Sequence, residues 1–287
     1  MLERMAIAPA TTVGAVDLTV AELERSVDYY TLAVGLEQLE RANGIARLGA
    51  GGQELLVLHE EPGAQPVRGH TGLFHFALLL PERTDLARWL VHAANARIPI
   101  SGMSDHLVSE AIYLRDPDFH GIEIYRDRPR DDWPSRDGQL QMDTLPLDTD
   151  DLVGSLESDG VPPFEGMPAG TRMGHIHLHV VDIGETEAFY SDVLGFDVVV
   201  RYGSEATFMS AGGYHHHIGG NVWAGRGATP PPPGSAALRH ATILLPDDAE
   251  RDRVAGRVAD AGQEPEPVDG GLLVRDPAQN ALVLTAA

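Results

Sequence analysis

The chain contains no cysteine. That excludes disulfides and thiolate metal ligands, and it fits a reducing cytoplasm. No apolar run approaches the ~20 residues of a transmembrane helix, so no membrane partner is expected. The opening residues, MLERMAIAPATTV, lack a basic segment followed by a long apolar core, so no signal peptide is expected either. Basic residues are scarce: 21 Lys and Arg face 43 Asp and Glu, a formal charge of −22. Nucleic acid is disfavoured as a partner, because phosphate binding needs a basic face. The simpler consequence of that charge is a solvated, self-repelling surface. What remains is the composition of a globular protein, with 287 residues, 43% of them hydrophobic, enough for two domains with a core each.

The chain is organised around residues 173–196, MGHIHLHVVDIGETEAFYSDVLGF. His175, His177 and His179 alternate, so in a strand they share one face. Asp182 reads as a helix N-cap with Glu185 three residues on, Ile183, Tyr190, Val193 and Leu194 keep helical spacing, and Gly195 is a stop. Residues 196–200 then return to β structure. The same strand–helix–strands unit recurs from residues 13, 72 and 237, with later helices expected over 86–96 and 254–261. The expected organisation is a loose arm at 1–12 and an N-terminal domain at 13–125, made of modules 13–59 and 72–125. A linker at 126–172, with a short helix within 147–156, precedes a C-terminal domain at 173–287 made of modules 173–223 and 237–287. Residues 214–223 read as a strand, and the four prolines from Pro230 to Pro233 stiffen a connector.

The modules align by their own residues. His75, His175 and His240 each precede aliphatics three and five positions on, and Ala15 stands there in module one. Arg115-Asp116-Pro117 and Arg275-Asp276-Pro277 align the last strands, which sets Glu123 of module two against Val283 of module four. Module three carries Tyr214-His215-His216-His217 at the start of its last strand. Polar groups able to bind a metal therefore fall in modules two and three: His75, Glu123, His175 and one of His215, His216 and His217. Two imidazoles and a carboxylate with open positions suit Fe(II) or another octahedral divalent ion. Each histidine taken alone also suits a packed core, Glu123 between two isoleucines also suits a solvent face, and the triple histidine also suits a surface run.

Over nearly its whole length the chain resembles the vicinal oxygen chelate superfamily (glyoxalase, bleomycin resistance protein, extradiol dioxygenase). The resemblance is carried by residues 175–180, the helix with Phe189-Tyr190, Leu194-Gly195-Phe196, and Asp116-Pro117 through Ile122-Glu123-Ile124-Tyr125. The stretches 109–117 and 212–219 are most similar to two-domain bacterial catechol 2,3-dioxygenases. The resemblance implies an α+β fold of four βαβββ modules in two domains, with cupped mixed β-sheets and helices on the outside. It implies Fe(II), with Mn, Ni or Zn as alternatives, held by His75, Glu123 and His175, and an acid/base or fourth ligand among His215, His216 and His217. The strand position itself favours His217, which sits deepest, next to Ile218. His106, Tyr125 and Tyr214 become substrate contacts. A small aromatic substrate and dioxygen are the implied partners, with room for a homodimer. The implied activity is extradiol ring cleavage of catechol-type aromatics. Val283 departs from the best-known extradiol enzymes, which draw their ligands from modules three and four, so modules two and three are expected to pair. A three-histidine site using His240 is the alternative placement. A glyoxalase-type isomerase or lyase, or a metal-free antibiotic-binding protein, is the alternative function.

Overall fold

The computed structural model describes residues 6–156 and 163–287. Residues 1–5 of the arm and 157–162 of the linker lie outside the described residues. The class is α+β, built from repeated βαβββ modules. The chain divides into two compact units. One comprises residues 6–19, Gln65–Phe74 and Gly174–Ala287; the other comprises Val20–Ala64 and the described part of His75–Met173.

In the first unit, strand Arg172–His179 runs parallel to Ile218–Asn221, which pairs antiparallel with Ala206–Ser210 and through it with Asp197–Tyr202. The last module repeats the arrangement: Leu238–Leu245 lies parallel to Ala281–Ala286, followed by Gly271–Arg275 and Glu266–Val268. Strand Thr12–Val20 joins antiparallel beside Leu238–Leu245, opposing Asp17 to His240. The arm is docked rather than loose over its described part. Ile7 is buried, its N–H donates to Gly195, and Ala8 N–H donates to the Glu250 carboxylate. An apolar residue with a hydrophobic seat leaves water even near a chain end.

In the second unit, the part of strand Gly72–Leu79 from His75 onward runs parallel to Gly121–Asp127, which pairs with Ser109–Arg115, then Gly102–Asp105 and Leu145–Pro146. Module one supplies Glu37–Ala42, Ile45–Ala50 and Gln53–Glu60. The linker helix forms as Thr149–Gly154, with the Asp148 carboxylate accepting from Asp151 N–H. The buried carboxylate of Glu110 gathers Arg83, Arg126 and Arg128, and Arg83 also reaches Asp151 of the linker. Burial pushes the Glu110 carboxyl up, but the hydrogen bonds from Arg83 and Arg126 outweigh it and hold it below its ordinary value.

Two helices begin before the apolar pattern does. They span Arg83–Ala96 and Asp248–Asp260. Their first turns are polar, and capping supplies what burial does not. Glu82 and Asp85 form a reciprocal box, and Asp247 accepts from Glu250 N–H. The helices of modules one and three are α only over Leu23–Asp28 and Ile183–Glu187, then widen to π over Tyr29–Val34 and Ala188–Val193. The wider turn sets Tyr30 and Tyr190 onto buried carboxylates: each hydroxyl donates to the Asp of an Asp-Pro turn, Asp116 at 2.9 Å and Asp276 at 3.1 Å. Burial raises both carboxyls, Asp276 to about 6. Gly35 and Gly195 follow these helices at φ of +95° and +94°, where a Cβ would be strained.

Candidate metal centre

Glu123 sits between Ile122 and Ile124, both fully buried, so it points to the opposite face of its strand. That face is not solvent, because Glu123 is only 2% exposed. The parallel register Phe76↔Ile122 and Ala77↔Glu123 brings His75 of the neighbouring strand alongside. His75 Nε2 lies 3.0 Å from Glu123 Oε2, and both groups are buried. That separation is the spacing of two adjacent ligand atoms on an octahedral ion with bonds of ~2.1 Å, which is about 3.0 Å. Tyr125 shares the face of Glu123 two residues on and packs with Ala77, Leu79 and Ala111.

Tyr113 was not legible as a site residue until the strands paired. It stands directly across from Glu123, and its ring is 5.6 Å from that of His75. Counting outward from the turn at residues 116–120 gives the same pairing, so the hairpin register was the available signal. His106 completes this side: its Nδ1 lies 2.7 Å from the Asp143 carbonyl and its Nε2 2.7 Å from the Tyr113 hydroxyl. A carbonyl only accepts, so Nδ1 carries the proton and Nε2 accepts from Tyr113.

In the other unit, His175 is buried with its ring centroid 4.0 Å from His216 and 6.0 Å from His215. The expected strand over 214–223 is corrected: only Ile218–Asn221 is strand. Residues 211–217 form a loop through Gly212 and Gly213, at φ of +60° and +68°. The loop closes on itself, since His217 Nδ1 accepts the Ala211 N–H at 3.1 Å and His217 N–H donates to Met209. Strand alternation therefore does not govern the histidines. His215 and His216 share a hydrogen bond, Nδ1 to Nδ1 at 2.8 Å, beside His175, and His217 is the loop's closing group. Tyr214 is half-buried, with its ring 4.1 Å from His215 and 4.9 Å from His217.

His240 goes elsewhere: its Nε2 lies 3.2 Å from the Asp17 carboxylate. The registers also separate the modules chemically. Glu123 pairs with Ala77 in module two, Val283 with Thr242 in module four, and Gly219 with His177 in module three. The carboxylate at this position belongs to module two alone among the three.

Repeated βαβββ modules whose first and last strands lie side by side, one offering an imidazole and the other a carboxylate, define the vicinal oxygen chelate class of metal-binding folds. The family model for the Glyoxalase/Bleomycin resistance protein/Dioxygenase superfamily matches residues 12–124 and 172–284. A catechol-2,3-dioxygenase of Bacillus subtilis (strain 168) is 46% identical over 278 residues, covering 95% of this chain and 96% of the relative. In fold, a provisionally assigned dioxygenase from Bacillus subtilis subsp. subtilis str. 168 superposes with a TM-score of 0.68 at 14% identity, covering 98% of this chain and 86% of that one. Glyoxalase I from Zea mays does so at 0.58 and 16% identity, covering 96% of this chain and 92% of that one. The chain belongs to the Glyoxalase/Bleomycin resistance protein/Dioxygenase superfamily, and within it is a metal-binding enzyme of the dioxygenase type. Among the described residues, no helix is long and apolar enough to cross a membrane.

Proposed function

We propose that the protein is an Fe(II)-dependent extradiol dioxygenase that opens catechol-type rings, with His75, Glu123 and His175 as the metal ligands. The observation that carries this reading is the buried His75–Glu123 pair at 3.0 Å, on a carboxylate position that modules three and four fill with Gly219 and Val283. All three proposed ligands are buried, and each offers one ligand atom. Two neutral imidazoles and one carboxylate leave a divalent ion with net positive charge and open positions. Such an ion, when bound, would hold both hydroxyl oxygens of a catechol and support the reaction with dioxygen.

The remaining groups act on protons and orientation. His215 and His216 share one proton between their Nδ1 atoms beside His175, so this couple can take a catechol proton and return it later. We assign the acid/base role to it in place of His217, whose Nδ1 is committed to Ala211. On the Glu123 side, His106 accepts from Tyr113 and thereby fixes the direction of the phenol hydroxyl. Tyr113 then has its oxygen as an acceptor for a substrate hydroxyl, and Tyr125 and Tyr214 supply ring surface near the two ligand sets.

The deciding experiment is purification without oxygen, followed by metal analysis and oxygen uptake with catechol. Iron near one per chain and one O₂ consumed per catechol are expected. A protein that is active with Ni or Zn and indifferent to oxygen would instead be an isomerase or lyase. A protein needing no metal would be a binder.

A further inference from the structure

The face of Arg172–His179 that carries His175 continues past it. Alternation puts His177 and His179 on that face, about 6.6 and 13 Å along it at ~3.3 Å per residue. The proposed metal set uses neither. Their neighbours are aromatic. The His177 ring centroid lies 5.3 Å from Phe74, 5.5 Å from Phe208 and 5.5 Å from Trp223. Phe74 in turn lies 5.2 Å from Trp223 and 5.1 Å from His179. The rings grade from buried to open: Phe208 is buried, Phe74 half-buried, and Trp223 is 48% exposed.

Two details show that these rings are held in place. Gly219 stands at the register position that Glu123 occupies in module two, and a Cβ there would come within 2.9 Å of the His177 ring. The side chain that would bind metal in module two is absent here, and an imidazole lies across the vacated strand. Asn221 Oδ1 accepts from Trp223 N–H at 3.0 Å, which fixes that atom as the oxygen, and it also accepts from His179 Nδ1 at 2.8 Å. One buried amide thus ties the Trp223 backbone to the His179 ring.

We propose that this row is a subsite for a flat aryl substituent on the diol substrate, so that aryl-substituted catechols are preferred to catechol itself. The proposal rests on the extradiol reading of the metal centre. Aromatic edges and faces presented together favour a second ring over an alkyl chain, because offset and edge-to-face pairs add to simple burial. Trp223 is the side chain with the most open surface to offer.

The test compares kcat/KM for 3-phenylcatechol and catechol in the wild type, Trp223→Ala and Trp223→Phe. Alongside, 2-phenylphenol, which lacks the vicinal hydroxyls, is titrated calorimetrically into metal-free protein. The ratio of kcat/KM, 3-phenylcatechol over catechol, should fall about tenfold in Trp223→Ala and recover in Trp223→Phe. Binding of 2-phenylphenol should weaken by a similar factor. If catechol is turned over but the ratio and 2-phenylphenol binding ignore Trp223, the subsite is refuted while the dioxygenase reading stands. If neither diol is turned over but 2-phenylphenol binding depends on Trp223, the subsite stands and the dioxygenase reading falls.

Discussion

Replacing Glu123 by Gln keeps the shape of a buried side chain and removes its charge. The pair with His75 at 3.0 Å loses its anionic member, and a neutral amide is a far poorer ligand for a hard cation. An affinity loss of about 100-fold is a modest expectation, since loss of partners that merely support a ligand costs 10–100-fold. Ligand binding to the folded state stabilises by RT ln(1 + [L]/Kd), about 2.7 kcal/mol at free metal 100 times Kd and about 0.4 kcal/mol at free metal equal to Kd. For 287 residues the unfolding entropy is about 0.6 kcal/mol/K, so these become Tm rises of about 4 °C and under 1 °C. The assay is a thermal melt under nitrogen, with and without Fe(II) or Mn(II), on the wild type and Glu123→Gln. Metal-free Glu123→Gln should melt close to the metal-free wild type, because Gln keeps the volume and shape of the buried side chain. A wild-type metal shift in Glu123→Gln, or full iron occupancy, would refute the ligand assignment. Val283→Ala, at the matching position of module four, should leave the metal shift unchanged.

Other substitutions probe the flanking groups. His215→Ala and His216→Ala should each retain most of the iron yet lose turnover by about 10²–10⁴-fold, whereas His217→Ala should chiefly cost stability, about 1–3 kcal/mol for a broken buried hydrogen bond. Iron per chain and catechol-dependent oxygen uptake check this, and an inactive, stably folded His217→Ala alone would reverse the assignment. His106→Ala and Tyr113→Phe should lower kcat/KM by similar factors, with the double variant little worse than either single one; unchanged kinetics in His106→Ala would leave it a loop residue. Asp276 binds a proton more tightly folded than unfolded, so its contribution falls as pH rises from 3.8 to about 6. At about 1.4 kcal/mol per unit the loss is about 3 kcal/mol, and the stability difference between wild type and Asp276→Asn should change across that window and be flat above it. Urea melts at pH 4 and pH 7 measure it, and a difference that does not move would refute the titration.

The sequence by itself determined whatever depends on near neighbours. Alternation along Arg172–His179 and the isoleucines around Glu123 set which side chains share a face, because strand pleating is a local rule. Asp182 and Asp247 start helices by accepting an N–H three residues on, and Gly195 ends one at positive φ; these too need only adjacent backbone. The offset between Glu123 and Val283 could be read before any pairing was known, because both strands follow the same Asp-Pro turn. Tertiary structure decided where a local rule gives way to a distant contact. The π-helical turns at Tyr30 and Tyr190 answer to carboxylates 86 residues away. Tyr113 faces Glu123 only once two strands pair. The triple histidine leaves strand alternation because His217 turns back onto the Ala211 N–H, and that ring closure sets His215 and His216 against His175. A strand pattern fixes the side on which a residue sits, while the distance between two imidazoles depends on the path of the backbone between them, and that path is settled by packing.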